Sequence, residues 1–330
     1  MAGSPEKWHQ SLSADEVAEL IAAARAFLAE GREIGQMRAC DFPLPQLAAK
    51  LSDLQQDLRD GCGVRVITGL PVENLSRAEA AAVFCGIGSH LGSARSQNAQ
   101  GHILGHVRDV GADPNDANTR IYQTHERQTF HTDSADVVGL LCLKTARKGG
   151  RSLLVSAETI FNRMLETAPD LVGSLFEPVA TDRRGEVPDG EDPWFEIPVL
   201  NWHAGKLTVI YQRQYIESAQ RFEHAPKLTM TQRKALDMFD ALANDPELHF
   251  AMDLAPGDMQ FVYNHSQLHD RTAFVDWPEP ENRRHLLRLW LSLPGDRELP
   301  PVFKQRYGAL DVGNRGGIIV PGAALNAPLD

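Results

Sequence analysis

Four cysteines in 330 residues, Cys40, Cys62, Cys85 and Cys142, are too scattered to staple a fold. No CxxC pair exists, so a disulfide framework and a structural zinc knuckle are both disfavoured, and reduced thiols in a cytoplasmic protein are the expectation. Long apolar runs are missing too. The longest, 137–143, has the length of a buried strand and falls far short of the ~20 residues that cross a bilayer. The opening MAGSPEKWHQ lacks the apolar core of a signal peptide, so no membrane partner is expected. Positive charge is in deficit: 33 Lys and Arg against 44 Asp and Glu leave a formal net charge of −11. Such a balance opposes a non-specific grip on phosphate backbones, and nucleic acid is not an expected partner. A small-molecule pocket is unaffected by that argument.

What is present is a chain with 42% apolar residues and no repeat, low-complexity tract or convincing linker. The reading is one domain over 1–330, with a mostly helical part at 1–92. Ser13 and Ser76, each with Glu three residues on, have capping-box spacing for two helices. A third helix is expected over 45–59. The segment 92–118 is polar and reads as a long loop. Strands are expected near Phe130, over 137–143, 152–155, 207–211, 248–254, 259–263 and 284–293. Ser156 reads as the N-cap of a helix closed by Pro169, 181–193 as a surface loop, and 228–243 as an amphipathic helix. Helices followed by strands with helical insertions fit an α+β protein with a sandwich or barrel core.

Four elements carry chemistry. In Phe130-His131-Thr132-Asp133, residues i and i+2 of a strand share a face, so an imidazole and a carboxylate can reach one metal. HxD tripeptides are frequent, and alone this one means no more than a hydrogen-bonded pair near a turn. Asn264–Arg271 follows a strand where the chain leaves the sheet, and offers His265 or His269 as a second imidazole. Two His and one carboxylate with open positions make the facial triad of non-haem Fe(II) oxygenases. In Arg283-Arg284-His285-Leu286-Leu287-Arg288, Arg284 and Arg288 lie on one face of an apolar strand. Buried arginines there need an anion, either a protein carboxylate or the carboxylate of a ligand. Lys148-Gly149-Gly150-Arg151-Ser152 is a tight turn into a strand that places the Ser152 hydroxyl.

Together and in this order, FHTDSADVVGLLCL, KGGRSLLVS, LAPGDMQFVYNHSQLHDRTAF and RRHLLRLWL resemble the taurine dioxygenase family, the TauD/TfdA-like (clavaminate-synthase-like) branch of Fe(II)/2-oxoglutarate oxygenases. The matching stretches span about half the chain. The resemblance implies a double-stranded β-helix (jelly-roll) core over 119–300, with flanking helices and an insertion at about 156–245. It implies Fe(II) held by His131, Asp133 and His269, with 2-oxoglutarate and O₂ as co-substrates. Arg284 would take the distal carboxylate of 2-oxoglutarate with Ser152 in place of the family's Thr. Arg288 would meet the other carboxylate or an anionic substrate. The interval from Asp133 to Ser152 is shorter than usual for the family. That from His269 to Arg284, fifteen residues, is longer than in taurine dioxygenase, which leaves Arg283 as the alternative.

The implied reaction hydroxylates an unactivated C–H bond of a small polar or carboxylate-bearing molecule and releases succinate and CO₂. Asp133 argues against the halogenase variant of the chemistry, which lacks the carboxylate. Asn98, Tyr122, Gln123, Tyr211 and Arg213 are candidates for the substrate pocket. Trp194, Trp202 and Trp290 read as core or loop anchors, and His125, His203, His224 and His249 have no evident partner. A homo-oligomer is left open. A zinc hydrolase built on the same triad and an inactive jelly-roll binding module are the competing readings. The arginines and the lack of an HExxH base weigh against the first, and the intact triad against the second.

Overall fold

The computed structural model describes residues 7–114, 116, 119–188, 190–319 and 322–330. Its centre is a pair of facing β-sheets, and strand periodicity accounts for the pairing. The larger sheet runs in the order His9–Ser11, Val64–Thr68, Met259–Tyr263, Val137–Lys144, His285–Ser292, Ser93–Arg95, and Leu104–Val107 also pairs with His285–Ser292. Its pairings are antiparallel except the first. On its outer face Ile67, Val137, Leu141, Met259, Phe261, Leu287, Leu289 and Leu291 meet the apolar sides of helices Ala14–Ala29, Ala48–Asp60 and Arg77–Leu91. On its inner face the alternate residues Val64, Val66, Val138, Val262 and Trp290 meet Leu154, Phe250 and Met252 of the smaller sheet. Each such aliphatic side chain, once fully buried, contributes ~1.5–3 kcal/mol of transfer free energy.

The smaller sheet has the order Phe250–Met252, Ser152–Ser156, Gln267–Arg271, Gln128–His131, antiparallel throughout. The segment between Ser156 and Phe250 builds its own apolar cluster, with Ile160, Met164, Leu236 and Phe239 from two helices packed on Phe130, Val155 and Leu268 of this sheet. A buried ion network closes the back of the fold. Asp136 accepts from His265 Nε2 at 2.8 Å, Arg315 Nε at 2.8 Å and the Ser292 hydroxyl at 3.1 Å. Arg315 also donates to Asp296 at 2.8 Å, which ties the C-terminal segment to the sheets.

The helix starts are as the sequence indicates, with capping boxes at Ser13/Glu16 and Ser76/Glu79. Several expectations are corrected. The segment 92–118 is not one long loop, because it supplies edge strands Ser93–Arg95 and Leu104–Val107. The helix capped by Ser156, Ala157–Thr167, does close just before Pro169 as expected, but Pro169 itself starts a further short helix at its first position, where its missing N–H costs nothing. Strand Pro178–Asp182 takes the start of the expected 181–193 loop and pairs with Trp194–Pro198. Gln267–Arg271 is itself a strand rather than the exit from one. Trp202 is not a core anchor: it lies 61% exposed on the hairpin strand Leu200–His203. Among the described residues no helix is long and apolar enough to cross a membrane.

Candidate metal centre and its two cavities

The strand order of the smaller sheet sets His269 directly opposite His131. Their ring centroids are 4.1 Å apart. Asp133 follows just past the end of its strand, where Thr132 N–H donates to Tyr211 O at 2.8 Å and Asp133 N–H to the Asn264 side chain at 3.0 Å. One ligand atom from each of His131, Asp133 and His269 lies within 4.8 Å of the others, and all three residues are buried. The competing imidazole, His265, is committed to Asp136 in the network behind the sheets.

Hydrogen bonds fix these groups. His131 Nδ1 lies 2.9 Å from Thr129 O, so Nδ1 carries the proton and Nε2 presents its lone pair. The Gln128 amide donates to that lone pair at 2.8 Å, at the atom a metal would take. Trp290 Nε1 donates to Asp133 Oδ2 at 2.8 Å, while Arg288 Nη1 stands 3.6 Å from Asp133 Oδ1. Burial pushes the His269 imidazole down to about 3, aided by His131 and Arg288, and burial also lowers His131. Both rings are therefore neutral at pH 7, as metal ligands must be. Burial works against ionisation of Asp133, but Arg288, the two imidazoles and the Trp290 N–H outweigh it and hold the carboxyl below its ordinary value. Two neutral imidazoles and one carboxylate at one point, with His131 held by Thr129 O and Asp133 by the Trp290 N–H, fit a divalent transition metal.

Two cavities flank this point, and His131, Gln128, Tyr122 and Arg288 border both. The larger, about 300 Å³, extends past His269 to Ser152, Arg271 and Arg284. Arg284 is buried with Nη1 unpartnered, and Arg271 is buried with Nε and Nη1 unpartnered. Both guanidinium groups lie over the Phe274 ring, at 5.1 and 4.8 Å from its centroid. Among the described residues neither has a carboxylate at ion-pair distance. Burial pushes Arg284 down to about 10, and burial together with the neighbouring Arg284 pushes Arg271 down to about 9. Two buried cations side by side, with no protein carboxylate among the described residues to pair them, make this wall suited to an anionic ligand. Gly150 makes room for it: its φ is +75°, and a Cβ there would come within 2.9 Å of Arg284 Nε. Ser152 Oγ lines the same cavity and donates to Gln260 Oε1 at 3.0 Å. Arg283, by contrast, is exposed and bonds to backbone carbonyls of Trp277 and Pro278.

The smaller cavity, about 60 Å³, lies on the other side, lined by Asp133, Ser134, Phe195, Gln212, Tyr215 and Arg306 among others. Of the substrate candidates, Tyr122 and Tyr211 line it. Asn98 instead bonds within its own loop, to His102 and Gln100. Arg213 is held by Glu217, Asp237 and Asp240, and Gln123 borders neither cavity. Arg288 is anchored by Gln97, which accepts from Nε at 2.7 Å, and its guanidinium lies 4.5 Å from the Tyr122 centroid and 5.0 Å from that of Trp290.

Sequence reasoning missed Trp290, Arg271, Gln128 and Gln97. Trp290 was findable, since it shares the inward face with Arg288 two residues earlier. Arg271 was findable from His269 by the same rule, once Gln267–Arg271 is read as a strand.

A buried two-histidine, one-carboxylate centre between facing sheets, with an unmet pair of arginines beside it, is the arrangement a mononuclear metal oxygenase requires. Residues 28–290 match the model of the taurine catabolism dioxygenase TauD, TfdA family, and the chain belongs to that family. It is 33% identical to an FR-33289 synthase of Streptomyces rubellomurinus, over 92% of this chain and 90% of the relative. It is 35% identical to a taurine hydroxylase-like protein of Stachybotrys chartarum, over 89% and 80% of the two chains. A uridine-5'-phosphate dioxygenase of Amycolatopsis sp. is 28% identical over 54% of this chain and 66% of the relative. An asparagine oxygenase solved with Fe(II), 2S,3S-3-hydroxyasparagine and succinate shares the fold, with TM-score 0.68 and 18% identity, covering 86% of this chain and 93% of that one. The protein is a 2-oxoglutarate-dependent dioxygenase that uses Fe(II) and O₂.

Proposed function

We propose that His131, Asp133 and His269 hold the Fe(II), and that 2-oxoglutarate lies in the larger cavity with its distal carboxylate between Arg284 and Arg271. The observation that carries this reading is the pair of buried guanidinium groups with unpartnered nitrogens on a cavity that opens onto the triad. Two buried cations side by side are costly without an anion, and a carboxylate accepting from both relieves that cost. The Ser152 hydroxyl adds a donor on the same wall. The facing sheets are then the double-stranded β-helix of the family, and 1–330 acts as one oxygenase unit.

Iron with 2-oxoglutarate and O₂ supplies the oxidant that attacks a C–H bond, the co-substrate leaving as succinate and CO₂. The chain's own work is placement. Arg284 and Arg271 fix one end of the co-substrate, and Thr129 and Trp290 fix the ligand side chains. Trp290, Val138 and Leu140 shield the metal from bulk water on the side of the large sheet. The substrate enters the smaller cavity and is a small polar or acidic molecule. Relatives named for taurine and for uridine 5'-phosphate support an acid.

The test is succinate formation from 2-oxoglutarate under O₂ with a panel of small acids, in wild type and Arg284→Gln. Wild-type turnover that falls about 30-fold or more in kcat/KM for 2-oxoglutarate supports the assignment, since a charge-assisted pair contributes ~2–3 kcal/mol. An unchanged value for the variant would remove Arg284 from the co-substrate site.

A further inference from the structure

The smaller cavity contains three arginines, and only one of them lacks a carboxylate partner. Arg120 Nη2 stands 2.5 Å from Glu186 Oε2. Arg288 is committed to Gln97 and to Asp133. Arg306 has no carboxylate at ion-pair distance among the described residues. Its Nε donates to the Ser134 hydroxyl at 2.7 Å, and its guanidinium carbon lies 5.7 Å from the centroid of Phe195. Burial lowers its basicity and the neighbouring Arg120 adds to this, while the Glu186 carboxylate beyond ion-pair reach offsets it only in part.

The mount is rigid. Arg306 projects from the short helix Lys304–Tyr307, and Phe303 and Tyr307 on either side are buried against Phe195, Ile197 and Leu299. Ser134 is the residue next to Asp133, so the Arg306–Ser134 pair stands one residue along the chain from the metal centre. A second unmet group faces the same space: Gln212 Oε1 is buried and accepts no hydrogen bond. The rest of the wall is apolar, with Val179, Ile197, Val199 and Ile216. Arg306 also lies beyond residues 28–290, the part of the chain the family model matches.

We propose that Arg306, with the Ser134 hydroxyl, is the substrate's anion anchor, and that the substrate is a small acid with a short apolar body and an N–H or O–H group for Gln212. Its anionic head would sit at Arg306, and the adjoining carbon would lie toward His131 and Asp133. A phosphonate or phosphate, a sulfonate and a carboxylate share this chemistry. This inference rests on the reading that the smaller cavity is the substrate side of the iron centre.

The experiment uses full-length protein with Fe(II) and 2-oxoglutarate without oxygen, titrated with propylphosphonate, propanesulfonate, butyrate and the uncharged butyramide. Two signals are followed: perturbation of the visible band of the iron chelate, and thermal stabilisation, which is also read without metal. The expected result is that at least one acid binds at millimolar concentration, is displaced by inorganic phosphate, and outcompetes butyramide. Arg306→Gln should then weaken that acid about 10- to 100-fold, the value of a charge-assisted bond, and Arg306→Lys should restore part of it. The chelate band without acid should be the same in both variants. Binding of butyramide as tightly as the acids, equal acid affinity in Arg306→Gln, or no response to any acid would each overturn the proposal. A missing chelate band with acid-dependent stabilisation intact would instead count against the iron reading and leave the anion anchor standing.

Discussion

Trp290→Phe separates the orientation of a metal ligand from its presence. The indole Nε1–H donates to Asp133 Oδ2 at 2.8 Å, and both groups are buried. Phenylalanine keeps a ring against Val138 and under the Arg288 guanidinium but deletes the donor. A hydrogen bond to a buried carboxylate contributes ~1.5–3 kcal/mol, which is about 10- to 100-fold in an equilibrium constant. Loss of an outer partner of a metal ligand falls in the same range. The loss should appear as weaker Fe(II) affinity, because Asp133 is then freer to turn away from the two imidazoles. Stability of the metal-free protein should fall by ~2–4 kcal/mol, since the same hydrogen bond is lost and the smaller ring leaves a void. Anaerobic metal titration gives the affinity and urea unfolding the stability. A variant that folds as well as wild type and binds iron equally tightly would refute the reasoning.

Gly150→Ala places a side chain at φ +75° and a Cβ 2.9 Å from Arg284 Nε, so stability should fall by ~1–2 kcal/mol and 2-oxoglutarate affinity should fall with it, both readable by calorimetry. His285, buried and paired to His106 at 2.7 Å, is pushed down to about 3 by burial and by His106, Arg77, Arg108 and Lys144. Its unfolded imidazole takes a proton near pH 6.5 while the folded one does not, so stability is full above that pH and is lost as pH falls toward 3. Between pH 7 and 5 His285 alone should remove ~2 kcal/mol, and His285→Gln should flatten the pH dependence of urea unfolding by that amount; parallel profiles would contradict this. Asp136→Ala strands Arg315 and His265 in the interior and should cost ~3–5 kcal/mol, measured by the same unfolding assay in metal-free protein.

Much of the centre was legible because strand geometry leaves a period of two. His131 was readable from HxD and Arg288 from a charge interrupting an apolar strand, whereas Asp133 lies just past the strand Gln128–His131 and Arg284 just before His285–Ser292, so the period of two alone does not place them. The choice between His265 and His269 was not readable from spacing. It depends on which residue faces the opposite strand and which faces Asp136 behind the sheet. Arg271 was hidden because QLHDR lacks apolar alternation, so its strand looked like the exit from the preceding one. Residues 93–95 and 104–107 escaped for a related reason. They are short edge strands with small and polar residues, and pairing with His285–Ser292 decides their conformation more than propensity does. Arg306 carries no local signal at all, since its significance comes from a cavity assembled by segments far apart in the chain.

The most direct test of the account is the visible charge-transfer band formed when Fe(II) and 2-oxoglutarate are added to the protein without oxygen. The account predicts that the band forms in wild type and is absent in His131→Ala and Asp133→Ala variants with an unchanged circular dichroism spectrum. A band of full strength in either folded variant, or none in wild type, would contradict the assignment of the metal centre.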